Sequence, residues 1–145
     1  MRELPRQLSV DELAELFEGR SRFVERLAEL PDPLDAAFDL IGEVPEDELV
    51  EALEAHPQIG AKNLSERSAR EQGPDGDAAI ETELAYLNQV YEEKFGFRFV
   101  VFVNRRPKSE ILDILRARLE RDRDEELRTA TAELVAIARD RWENA

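Results

Sequence analysis

The chain has a single histidine, His56, and a proline follows it. Proline drives the residue before it out of helical geometry, so His56-Pro57 predicts a fixed corner between a helix and a loop. An imidazole titrates near neutrality and can act there as general acid or base. The plain alternative is an exposed histidine facing a helix dipole, which needs no function. Further on, Ser68 and Glu71 share one face of a helical turn, with Gln72 beside them. Ser-x-x-Glu is equally the pattern of a capping box. In Phe95-Gly96-Phe97 the glycine permits a sharp turn, and an extended backbone after it can offer amides and carbonyls to a polar ligand. The two phenylalanines belong to the core in either case. Arg141 is singled out by phase: at 100° per residue from Leu127 it falls at about −40°, on the same stripe as Leu134 and Ala138. A guanidinium pointing inward must meet either a structural carboxylate or an anionic ligand.

The elements that must hold these groups are helical. Ser9-x-x-Glu12 reads as a capping box opening a helix with Val10, Leu13, Leu16 and Phe17 on one face and a stop at Gly19. A second helix spans about 21–30. Asp32-Pro33 is a start signal for a third, with Leu34, Ala37, Phe38 and Ile41 as its stripe and Gly42 as its stop. The fourth begins at Pro45 and must end near His56. Residues 57–67 read as a loop, 68–72 as a single turn and 73–77 as a turn cluster. Ile80, Leu84, Leu87, Tyr91 and Phe95 then define the longest amphipathic pattern, with Gly96 in the stop position. Pro107 opens a helix carrying Ile111, Leu112, Leu115 and Leu119, and the last begins near Asp124. The charged run 121–126 reads as a solvated face or a turn. Segment 97–103 is β-branched and aromatic, which is strand propensity, but no second such segment exists to pair with it. It therefore reads as an extended piece threaded into a helical core. The expected fold is all-α: one domain over 1–145, a bundle of about seven or more helices and no sheet.

Composition narrows the function. Acids outnumber bases 34 to 20 in 145 residues, a formal charge of −14, which disfavours nucleic acid and a basic membrane-surface role. With no cysteine and one histidine, no thiolate or multi-histidine metal site can form, so the expectation is no metal. Gly-rich phosphate loops, Gly-x-Ser-x-Gly elbows and His-Glu-x-x-His helices are absent from the sequence. No bilayer-length apolar run, signal-peptide pattern or peroxisomal ending is present, and a cytoplasmic location is expected.

His56-Pro57-x-Ile59-Gly60, Ser68-x-x-Glu71-Gln72, Leu87-Asn88-x-x-Tyr91, Lys94-Phe95-Gly96-Phe97, Ile111-Leu112, Arg118-Leu119 and Ile137-Ala138-x-x-Arg141 occur in that order. The series resembles the 2-oxo-4-hydroxy-4-carboxy-5-ureidoimidazoline (OHCU) decarboxylase family, and Leu16-Phe17-Glu18-Gly19-x-Ser21 extends the likeness over nearly the whole chain. The resemblance implies an all-helical, cofactor-free and commonly homodimeric enzyme that decarboxylates a small ureide to (S)-allantoin in urate degradation. It places the catalytic groups on His56 and Glu71. It places substrate binding on Ser68, Gln72 and Arg141, and Pro57 with the backbone of Gly96, Phe97, Arg98 and Phe99 is expected to contact the substrate beside them. The family usually carries proline where this chain has Arg98, a charge beside the expected pocket. Two alternatives stand beside this reading: a non-catalytic helical interaction module, and a paralogue acting on a related ureide or hydantoin. If His56, Glu71 and Arg141 do not converge on one cavity, the enzyme reading loses its basis; Arg98 is the feature that favours the paralogue.

Overall fold

The computed structural model describes residues 3–56 and 78–144, and those residues form seven helices. They are α1 (Val10–Phe17), α2 (Arg22–Ala28), α3 (Pro33–Leu40), α4 (Glu46–Ala55), α5 (Ala78–Phe95), α6 (Lys108–Arg118) and α7 (Arg123–Glu143). No strand occurs among the described residues, in agreement with the all-α expectation. The turns and loop expected over 57–77, and with them Pro57, Ser68, Glu71 and Gln72, lie outside the described residues.

Local chemistry starts most of these helices where the sequence predicts. Ser9 and Glu12 form the reciprocal capping box, and Ser21 and Asp122 accept from Val24 and Glu125 amides at the starts of α2 and α7. Pro33 takes the first position of α3, but Asp32 is left-handed (φ 48°) and its side chain makes no cap hydrogen bond. The α3 stripe also differs from expectation. Phe38 is exposed and lies under the Arg139 guanidinium (5.6 Å), while Leu40 is buried in its place.

Helix α7 is the organising element: it packs against α1, α3 and α4, while α2 fills the angle between α1, α3 and α4. Leu127, Ala130, Leu134, Ile137 and Ala138 are buried, as their phase requires. Helices α5 and α6 pair with each other, and segment 97–103 links them to the rest of the core. Phe97 and Phe99 pack edge-on against Tyr91 with ring centroids 5.9 and 5.2 Å away.

An extended segment without a sheet must satisfy its backbone by other means. Here side chains replace the missing ladder. Arg118 donates to the Val100 carbonyl (2.7 Å), and Arg106 to the carbonyls of Val103 (3.0 Å) and Phe102 (2.5 Å). The Phe102 amide donates to the Glu133 carboxylate (3.3 Å). The anchor of this arrangement is Glu126, fully buried, which accepts from the Tyr91 hydroxyl (2.6 Å) and pairs with Arg118. Burial together with the adjacent Glu126 charge pushes the Tyr91 phenol well above its ordinary range, so it remains a donor. Glu126 therefore departs from the solvated reading of the charged run.

Candidate active site

Two helix carboxyl ends meet at the candidate site. Helix α1 ends on Glu18, which takes the left-handed conformation (φ 60°), rather than on Gly19 as expected. Gly19 serves a different purpose. A Cβ there would stand 2.7 Å from the Ala55 Cβ, so glycine is what lets the end of α1 touch the last residue of α4. His56 follows Ala55 in extended geometry (φ −86°, ψ 136°), the corner that a following proline dictates.

Each of these ends is capped by a guanidinium from elsewhere in the chain. Arg141 is inward-facing, as its phase predicts, with a side chain 1% exposed. Its Nη1 donates to the Leu16 carbonyl (2.8 Å), and Nη2 lies 3.2 Å from the Glu18 carboxylate. Arg98 does the same for α4: its Nη1 donates to the carbonyls of Glu54 (3.0 Å) and His56 (2.5 Å). Its Nη2 and Nε lie 3.5 and 3.6 Å from the carboxylates of Glu54 and Glu92. Both cations complement the negative end of a helix dipole as well as its unpaired carbonyls.

His56 is buried, 7% exposed, which excludes the reading of it as an exposed terminal histidine. Among the described residues its Nδ1 has no hydrogen-bond partner. Burial, then the charges of Arg141 and Arg98, push the imidazole down to about 4, against the opposing pull of Glu18. At neutral pH it is therefore uncharged, with one nitrogen able to accept a proton and the other able to donate one.

The structure thus brings His56, Arg98 and Arg141 together, and adds Glu18, which the sequence reading did not select. Gly96 is exposed and turns the chain with φ +79°. Phe97 and Phe99 direct their rings into the Tyr91 cluster, so near the site only their backbone is available to a ligand.

The fold and site define a class: a small all-α protein whose only imidazole is buried and neutral where two arginine-capped helix ends converge. Comparison with known proteins makes the class particular. The OHCU decarboxylase family matches residues 2–143, and the chain belongs to that family. It is 31% identical to the uric acid degradation bifunctional protein PucL of Bacillus subtilis, over 96% of this chain and 30% of that protein. It is 31% identical to the Xenopus laevis 2-oxo-4-hydroxy-4-carboxy-5-ureidoimidazoline decarboxylase, over 69% of this chain and 62% of that one. The chain thus spans less than two-thirds of the length of either relative. A crystal structure of OHCU decarboxylase in the presence of (S)-allantoin superposes with a TM-score of 0.74 at 28% identity, covering 90% of this chain and 94% of that one.

Proposed function

We propose that this chain decarboxylates OHCU to (S)-allantoin without a cofactor. The observation that carries the reading is the buried, neutral His56, acted on by Arg98 and Arg141 and with no Nδ1 partner among the described residues, in a chain of this family.

Loss of CO₂ leaves an electron pair on the ring carbon that bore the carboxylate. The adjacent ring imine accepts it: a carbon–carbon double bond forms as the imine electrons move to nitrogen, which takes up a proton. The resulting enol then loses its hydroxyl proton, and the neighbouring ring carbon gains one on a single face. The substrate carries its own electron sink, so the protein has to bind the anion, orient it and move protons. A neutral imidazole suits that work, because it can take the hydroxyl proton and return one to carbon. Arg141 binds a substrate carbonyl or the carboxylate through its planar, charged fork. Glu71 orients His56 or binds ureido N–H groups. Pro57, Ser68, Gln72 and the backbone of Gly96, Phe97, Arg98 and Phe99 fix the ring. Family membership supports a homodimer in the cytoplasm as the working form, which sedimentation and cell fractionation test.

The direct test is turnover of freshly generated OHCU, following its loss and the optical rotation of the allantoin formed. The wild-type chain gives (S)-allantoin, and His56→Ala lowers kcat by about 10²–10⁴-fold with helical circular dichroism retained. A wild-type chain inert towards OHCU refutes the function. An unchanged kcat in His56→Ala refutes the acid–base assignment alone.

A further inference from the structure

We propose that the Arg98 side chain is a positioning group for His56: the guanidinium grips the carboxyl end of α4 and fixes the imidazole without itself touching substrate. The inference rests on the catalytic reading of His56 given above. Its basis is geometric. One guanidinium nitrogen donates to two carbonyls, those of Glu54 and of His56 itself, so the backbone that carries the imidazole is held at two points. The other two nitrogens face the carboxylates of Glu54 and Glu92, which draw the guanidinium towards α4 and α5. The guanidinium thus hydrogen-bonds two carbonyls at the end of α4 and ion-pairs with carboxylates of α4 and α5, an arrangement the compact charge of an ammonium group does not reproduce. With only 24% of its side chain exposed, Arg98 is committed to these contacts.

A fixed charge follows from the fixed position. The carboxyl end of a helix ordinarily favours a protonated histidine. Among the described residues the charges acting on His56 are Arg141 from α7, Glu18 from α1 and Arg98 from the extended segment, and Arg98 in turn faces Glu54 of α4 and Glu92 of α5. Burial and then Arg141 do most to keep the imidazole neutral, and Arg98 adds to them by offsetting the helix end, which favours the form that proton abstraction requires.

His56 is the only histidine, so its ring resonances titrate without overlap in an NMR spectrum, whatever the catalytic activity. The experiment compares the wild type, Arg98→Gln, Arg98→Lys and the remote control Arg116→Gln by His56 titration and by steady-state OHCU kinetics. In Arg98→Gln the His56 midpoint is expected to rise by a few tenths of a unit, since a cation is removed and two carboxylates are released. Its kcat is expected to fall about tenfold, with KM within about twofold of wild type. Arg98→Lys keeps the midpoint near wild type but lowers kcat, because the charge remains and the double grip does not. Arg116→Gln changes neither reading. An unmoved midpoint in Arg98→Gln overturns the proposal, as does a rise in KM at constant kcat, which marks a direct substrate ligand. Should Arg98→Gln not fold, wild-type kcat in Arg98→Lys also overturns it. A wild type inert on OHCU refutes the function while the NMR titration still decides whether Arg98 governs His56.

Discussion

Acid should destabilise this protein through His56 in a measurable and separable way. The imidazole is held at about 4 in the folded state, against an ordinary value near 6.5. Because the folded value is the lower one, the unfolded chain binds the extra proton across that window. Stability then rises with pH through the window and is lost as pH falls from about 6.5 towards about 4. At about pH 4.5 the unfolded histidine is almost wholly protonated and the folded one mostly neutral, which costs the folded state about 2 kcal/mol relative to neutral pH. For a chain of this size that is a melting shift of about 4–8 °C. Carboxylates titrate over part of the same range, so the assay is a double difference. Urea unfolding of wild type and His56→Gln, followed by circular dichroism near pH 7 and near pH 4.5, should show the wild type losing about 2 kcal/mol more than the variant. Parallel losses in the two proteins would refute the buried, neutral imidazole and the acid–base argument built on it.

Further outcomes follow from other contacts. Arg141→Lys keeps the charge near Glu18 but loses the fork, and should lower kcat/KM about tenfold with a small melting shift; a large fall in melting temperature with normal kinetics assigns the residue to structure alone. Gly19→Ala forces a methyl against Ala55 and should destabilise by about 1–3 kcal/mol in urea unfolding, part of which Ala55→Gly restores in the double variant. Glu126→Gln leaves Arg118 buried without its counter-charge and should destabilise by about 3 kcal/mol, read from the same unfolding curves.

How much of this was legible in the sequence depends on whether a residue's place is set by its own helix or by distant partners. Arg141 was found because α7 is long and regular, so phase alone carried it to the core stripe. The same arithmetic, extended one residue before Leu127, puts Glu126 at about −100°, beside Ile137 at about −80°. The phase signal for its burial was therefore present, and the surrounding charges masked it. What the run 121–126 could not reveal is that Arg118 and Tyr91 wait inside to receive a carboxylate.

Glu18 was missed for a different reason. Local rules assign the left-handed residue of a helix stop to glycine, and Gly19 was at hand. The chain instead puts Glu18 in that strained conformation, at a cost of about 1 kcal/mol or more, and uses the glycine to admit Ala55. The gain is long-range. With Gly19 pressed against α4, the Glu18 carboxylate meets Arg141 and faces His56, which lie 123 and 38 positions further along the chain. A window of a few residues sees the cost of that conformation and none of its purpose. Arg98 presents the same problem in reverse: its neighbours suggest a charge beside a pocket, whereas its hydrogen bonds run to the end of α4, more than forty residues away. In both cases a residue that breaks a local expectation does so beside His56, where two helix ends are held together against their own dipoles.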